Sequence, residues 1–303
     1  MYYHALSPDL KARFGGKTYK LSLSSGASCP NRDGALGFGG CTFCTGSGEF
    51  SASSLAPIPE QLEQARLILG PKARNACFIA YFQENTNTYG PVSRLEPLFR
   101  AAIAPEDVVA LSIATRPDCL GPDILAMLSR LRTVKPVWVE LGLQTIHAST
   151  AARIRRGYPL AVFEEAVQNL HAIGVEVIVH LILGLPGESP EDMTASARYV
   201  GQLGIQGVKL HLLHILRGTP LAAEYAEGRV QTLALDDYIS LLEACLAVLP
   251  PEIVIHRLTG DGAKRDLIAP LWSADKKRVL NAIHRRFVHD NVQQGSALQP
   301  SRP

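Results

Sequence analysis

Cys29, Cys41 and Cys44 fall in one loop-like segment, CPNRDGALGFGGCTFC, that directly follows an apolar, strand-like run. Three thiolates spaced C-x11-C-x2-C on a glycine-rich backbone form an incomplete ligand set. A metal centre held by three sulfurs keeps one coordination position open, and an open position is where chemistry happens. Spacing alone leaves a three-Cys iron–sulfur site and a structural zinc site evenly matched. Zinc normally takes four protein ligands, and His4 or a distant Cys could supply the fourth, but the paired CxxC…CxxC form is missing. The other cysteines are dispersed. Cys77 in ACFIAYF and Cys245 in LLEACLAVL read as small buried hydrophobes, and Cys119 follows Arg116-Pro117-Asp118 at a strand end.

The elements that must position this loop alternate regularly. Apolar runs rich in Val, Ile and Leu occur at 18–24, 76–82, 107–114, 136–142, 175–183 and 206–213. Helical patterns separate them. In LAVFEEAVQNLHAIG, Val162, Phe163, Ala166, Val167, Leu170 and Ile173 recur at helical spacing, with Gly174 as C-terminal cap. Ser189 is an N-cap followed by Pro190, Glu191 and Asp192 against the positive helix end. Strand–helix repeats with near-continuous apolar strands imply an α/β fold with a parallel sheet covered by helices. The count fits a partial (β/α)6 TIM-like barrel over 1–214. A C-terminal α/β extension over 215–290 would hold helices near 218–228, 235–249 and 274–289 and a strand at 252–256. The polar stretch 291–303 reads as a disordered tail. Polar clusters follow the strands at Ser24, Gln83–Asn87, Thr115-Arg116, Gln144 and Gly184–Glu188, the edge where such sheets gather function.

At 303 residues, with 47% hydrophobic and 19% charged residues, the chain is an ordinary globular protein. A net charge of +2 does not by itself argue for nucleic acid. No apolar run is long enough to span a membrane, and the N-terminus has no signal-peptide core. The cytoplasm is the expected compartment, and six cysteines there do not suggest a disulfide framework.

CPNRDG…GFGGCTFC, YFQENTNTY, ELGLQTIH…IRRG and HRLTGD, in this order, resemble the radical S-adenosylmethionine (SAM) superfamily over about residues 5–290. Together they resemble a bacterial radical SAM group related to the elongator-complex catalytic subunit and, more distantly, to oxygen-independent coproporphyrinogen oxidase. The family's usual C-x3-C-x2-C departs here to an eleven-residue first gap. The resemblance implies that Cys29, Cys41 and Cys44 ligate three irons of a [4Fe-4S] cluster and that SAM chelates the fourth. It implies an aromatic near adenine at Phe43 and SAM amino-group contacts at Asn85 and Thr86, where the family's glycines are missing. It places Gln144 and Arg156 at the SAM carboxylate, with Arg153 and Arg155 as rivals, His180 at the ribose, Ile182 at the adenine, and Thr115 and Arg116 as secondary contacts. Glu140 ranks below these as a contact, against the plainer reading of a strand residue facing a helix.

The implied activity is reductive cleavage of SAM to methionine and a 5′-deoxyadenosyl radical, which takes hydrogen from a substrate. An electron donor such as flavodoxin or ferredoxin is the implied partner. Catalytic residues stay unassigned. His211, His214, His256 and Arg257, with Arg217, Thr259 and Asp261, are candidates to line the substrate cavity. Elongator-like relatives act on tRNA, and Lys276, Lys277, Arg278, Arg285 and Arg286 crowd one helix, so RNA is a possible substrate, against the plainer reading of a solvated basic face. The alternative is a non-catalytic zinc- or RNA-binding module on the same barrel.

Overall fold

A computed structural model describes residues 2–46, 56–260 and 264–298. The strands are β1 (Thr18–Leu23), β2 (Cys77–Phe82), β3 (Val108–Thr115), β4 (Val137–Gln144), β5 (Glu176–Leu183), β6 (Gly207–Leu212), β7 (Ile215–Leu216), β8 (Val254–Arg257) and β9 (Leu267–Ala269). The helices are α1 (Leu6–Phe14), α2 (Ile58–Leu69), α3 (Val92–Ile103), α4 (Pro122–Arg132), α5 (Ala148–Arg153), α6 (Leu160–Ala172), α7 (Pro190–Gly201), α8 (Pro220–Ala226), α9 (Leu235–Ala247) and α10 (Lys276–His289). Seven strands form one parallel sheet in the order β1-β2-β3-β4-β5-β6-β8, and β7 pairs antiparallel with β9. This is the expected partial barrel with one strand more. The strand assigned to the extension joins the sheet, with Val208 opposite Ile255 and Lys209 opposite Arg257.

The helix signals hold. α6 buries Phe163, Ala166, Val167 and Leu170, and Gly174 follows it at φ 66°. At α7, the Ser189 side chain accepts from the Asp192 amide while Asp192 returns a bond to the Ser189 amide. The sequence reading passed over α1, whose Gly15 cap at φ 73° is a recognisable stop. Leu10 of α1 joins Ile79, Ala110, Trp138 and Ile178 in a small apolar cluster, with Leu6 and Phe14 against it, so this helix covers one end of the half-barrel.

Order also extends past the expected boundary at 290. The buried Gln294 donates from Nε2 to the carbonyls of Pro250 (2.6 Å) and Ile253 (2.9 Å), and its Oε1 accepts from the His4 amide (2.8 Å). Residues 291–298 are therefore not a free tail, because a buried amide finds all its partners on the fold. Residues 299–303 lie outside the described residues. Among the described residues no helix is long and apolar enough to cross a membrane.

Candidate active site

The cysteine loop is built by its own backbone. The Arg32 and Asp33 amides donate to the Cys29 carbonyl, Leu36 and Gly37 to that of Pro30, Gly40 to that of Asn31 and Cys44 to that of Cys41. Asp33 and Phe38 pair across a hairpin that takes up the long first gap. The Arg32 guanidinium donates to the Cys44 carbonyl at 2.7 Å and lies against Gly40 and Gly46. A Cβ at those glycines would stand 2.9 and 2.2 Å from the guanidinium, and both have φ near +70° to +80°, so both positions demand glycine. Thr42 ties the loop to the barrel, donating to Ile154 and accepting from Leu221.

Cys29, Cys41 and Cys44 line one cavity of about 230 Å³ together with Phe43, Asn85, Thr86, Thr115, Arg116, Gln144, Arg156 and His180. Ile182 lines an adjoining cavity of about 300 Å³, which shares Phe43, Cys44, Gln83, Gln144 and His180 with the first. Every residue expected at the cluster or SAM thus lines one of these two adjoining chambers, except the rivals Arg153, which pairs with Glu224, and Arg155, which is exposed. His211, His214 and Arg257 face its second chamber. His256 does not. It lines cavities away from the cysteines and packs edge-on against Trp138, with ring centroids 6.1 Å apart. The reason is a bulge: Ile255 and Arg257 pair with consecutive residues of β6, leaving His256 as the extra residue out of the alternation. Arg217 and Thr259 line neither of the two chambers, and Asp261 lies outside the described residues.

Two of the expected SAM contacts have backbones that L-residues rarely adopt. Asn85 stands at φ 57° and Gln144 at φ 69°. Asn85 therefore supplies, without a glycine, the turn that the missing glycines had put in doubt. Its neighbours brace it: Asn87 Nδ2 donates to the carbonyls of Phe82, Glu84 and Ala114, and the Thr88 and Thr115 hydroxyls share a 2.6 Å bond. Gln144 follows a bulge in which Leu143 is the extra residue. Arg156 grips that turn from both sides, its Nη1 donating to the carbonyls of Leu143 (3.1 Å) and Thr145 (2.6 Å) and its Nε to Tyr158 (3.1 Å). Two of its three nitrogens are thus committed to backbone, and its main work is to hold Gln144. Arg116 is likewise engaged, forked onto Asp118 and bonded to the Arg156 carbonyl. Arg156→Lys, which cannot reproduce the fork, is expected to raise the Kd for SAM about tenfold in cluster-loaded protein, measured by calorimetric titration.

Glu140 corrects its sequence reading. It faces the barrel interior, fully buried, and takes five hydrogen bonds. Oε1 accepts from Lys20 Nζ (2.7 Å) and Ser112 Oγ (2.8 Å), and Oε2 from Tyr81 (2.9 Å), His180 Nε2 (2.8 Å) and Lys209. Burial alone would raise its pKa, but the Lys20 and Lys209 charges outweigh it and hold the carboxyl well below the usual range. Burial and the second ammonium pull Lys209 well below the ordinary lysine value against the attraction of Glu140. Neither Lys209 nor Tyr81 was singled out from the sequence. The available signal was a charge inside otherwise apolar strands, PVWVELG and QGVKLHLL.

Burial, then the Lys209 charge, push His180 down to about 4 despite its bond to Glu140. The neutral ring must donate Nε2–H to that carboxylate, which leaves Nδ1 an acceptor. His211, with its ring centre 5.0 Å from that of His180, and His256 are also held well below the histidine norm by burial. Such bases resist protonation in the fold while the unfolded chain protonates below pH 6.5, so stability falls as pH drops. Between pH 6.5 and about 4, His180 alone is expected to cost up to about 3 kcal/mol. Urea melts across that range check this, and His180→Asn should flatten the slope.

The Cys41 thiol is pushed up to about 11 by burial first and by Cys44 next. A thiol so placed becomes a thiolate when a metal binds it. Three cysteines around one cavity are a donor set that fits three irons of a multi-iron cluster.

Residues 28–200 match the family model described as the radical SAM superfamily, and 205–288 match the radical SAM C-terminal domain. The chain belongs to the radical SAM superfamily. It is a radical SAM enzyme, and the superfamily's cofactors are a [4Fe-4S] cluster and SAM. It is 42% identical over 299 residues to "Uncharacterized protein YtqA" of Bacillus subtilis (strain 168), covering 98% of this chain and 93% of that one. It is 31% identical over 188 residues to the tRNA uridine(34) acetyltransferase of Dehalococcoides mccartyi (strain CBDB1), covering 61% of this chain and 39% of that enzyme. In fold it is similar to the archaeal Methanocaldococcus infernus Elp3, with TM-score 0.68 at 16% identity, over 91% of this chain and 64% of that one. The fold is thus common to both chains.

Proposed function

We propose that this enzyme cleaves SAM reductively and uses the product to take a hydrogen atom from a substrate held in the second chamber. The observation that carries the reading is the continuity of the two chambers: cysteines and SAM-side residues line one, and His211, His214 and Arg257 line the other. When bound, the cluster supplies an electron to SAM, yielding methionine and the 5′-deoxyadenosyl radical. Cys29, Cys41 and Cys44 would hold three irons and leave the fourth to SAM. Gln144, fixed by Arg156, offers an amide to the SAM carboxylate, and Asn85 and Thr86 offer the strand-two turn to its amino group. Phe43 and Ile182 give adenine an apolar bed, and the His180 Nδ1 can accept from a ribose hydroxyl. At the far side, Nε2 of His211 is buried without a hydrogen-bond partner, so it is available to a substrate.

RNA is the substrate class to assay first. Support comes from the similarity to a tRNA-modifying enzyme and from α10, whose Lys276, Lys277, Arg278 and Arg285 are exposed. Anaerobic reconstitution followed by dithionite and SAM tests the cleavage itself. 5′-Deoxyadenosine is the expected product, and cluster-loaded protein that never forms it would end this reading. Nucleoside profiling of tRNA from a deletion strain then tests the substrate class, with a lost modified nucleoside as the expected result.

A further inference from the structure

The end of the half-barrel opposite the cysteines holds a cavity of about 420 Å³ that shares no lining residue with the two chambers of the candidate active site. Its walls come from the N-terminal ends of the strands, at Trp138, Ile178 and Val254, and from α1, which contributes Leu6 and Arg13. Two of its side chains carry buried polar atoms that the described residues do not satisfy. Trp138 is 2% exposed, and its Nε1 has no hydrogen-bond partner. Nδ1 of His256 is likewise without one, on a ring that burial and then the Lys20 charge keep neutral. Buried donors and acceptors are costly to leave unpaired, and nearly all of them in folded proteins are paired. A single bridging water takes about 30 Å³, a small share of this space. The cavity has the size of a small-molecule site. Its walls narrow the occupant. Arg13 is forked onto Glu176 and lies 5.5 Å from the Trp138 ring centre, and His4 Nε2 is bonded to Asp9 at 3.0 Å. Glu252, the one other carboxylate in the lining, is exposed to solvent. An ionic ligand therefore meets no free, desolvated counter-charge, which favours a neutral one.

We infer that this cavity is a second binding site, specific for a small neutral molecule with an amide edge, whose carbonyl oxygen accepts from Trp138 Nε1–H and whose N–H donates to His256 Nδ1. The indole nitrogen only donates, so it requires an acceptor, and a neutral imidazole nitrogen without hydrogen accepts. A carbonyl beside an N–H satisfies both atoms at once. No bond is made or broken there. The site stands apart from SAM cleavage, because the Glu140 cluster fills the barrel interior two residues along β4 from Trp138.

The test uses the full chain with nicotinamide as the probe, ligand-observed NMR for affinity and a crystal soak for position. Nicotinamide is expected to bind with a Kd on the order of 1 mM, unchanged by saturating SAM. Its oxygen should lie within about 3.2 Å of Trp138 Nε1. 3-Acetylpyridine, which keeps the ring and the carbonyl but lacks the N–H, and the charged nicotinate should each bind about tenfold more weakly. Trp138→Phe and His256→Phe each keep an aromatic ring and remove the unpaired polar atom, and each should raise the nicotinamide Kd about tenfold. Iron content and dithionite-driven deoxyadenosine formation should stay within about twofold of the parent, since neither residue lines the SAM chambers. If Trp138→Phe fails to fold, the order of the three probes on the parent and the His256→Phe result decide. Water alone in the cavity, or equal Kd values for nicotinamide and nicotinate, overturns the assignment. Unchanged affinity in both variants does so too, as does density in the soaked crystal without binding in solution, which would be binding at crystal concentration only.

Discussion

Glu140→Leu is expected to destabilise the fold by about 3–5 kcal/mol, the largest effect of any single substitution outside the cysteine loop. The carboxylate is the sole anion among the partners that meet in the barrel interior, with Lys20, Lys209 and His180 all bonded to it. Lys209 is almost without solvent access, so removing its partner leaves either a bare ammonium or a lysine forced neutral. Tyr81 and Ser112 lose an acceptor as well. In thermal terms the drop is on the order of 10 °C, read by calorimetry on cluster-free protein so that cofactor loss does not contribute. Glu140→Gln, which keeps an acceptor and the volume but loses the charge, should cost about half as much. A loss below about 1 kcal/mol for the Leu variant would mean that the buried lysine does not need the carboxylate. Glu140→Leu also removes the acceptor that fixes His180, so SAM affinity should fall in any Leu variant that still folds.

Cys41→Ala should take reconstituted iron from about four atoms per chain to below one and abolish deoxyadenosine formation. The remaining two thiols cannot hold a cubane against competing water, and Cys41 is the ligand most embedded in the loop, between Asn31 and the Arg155 carbonyl. Cys119→Ser is the control, since Cys119 lies outside the chamber lined by Cys29, Cys41 and Cys44. Iron and sulfide analysis with low-temperature electron paramagnetic resonance decides the matter. Full iron retention in the Ala variant would remove Cys41 from the ligand set. Zinc without iron in anaerobically purified parent protein would revive the non-catalytic alternative.

The strands were legible because a buried parallel sheet writes itself as near-continuous apolar runs, and Ser189 and Gly174 marked their helix ends by chemistry that acts within one turn. The cysteine loop was legible for the same local reason. What escaped depended on parity and on distance. Glu140 could not be aimed inward from sequence, since its five partners come from β1, β2, β3, β5 and β6. His256 was misplaced because a single bulge in β8 reverses the alternation that would have turned it to the site. Arg156 was singled out as a candidate, but its clamp on the Gln144 turn was not, because the bulge at Leu143 and the left-handed turn are backbone events with no residue signature.

The two chain ends meet through Gln294. Its amide donates to the Tyr2 carbonyl, its side-chain oxygen accepts from the His4 amide, and the His4 carbonyl in turn accepts from the Ile255 amide in β8. In energetic terms the first and last segments form one cooperative unit, although nearly the whole chain separates them. Amide exchange should therefore slow and quicken together at Gln294, at His4 and at Ile255. Cleavage near residue 290 would loosen α1, and with it the covered end of the half-barrel, long before it reached any residue that touches SAM.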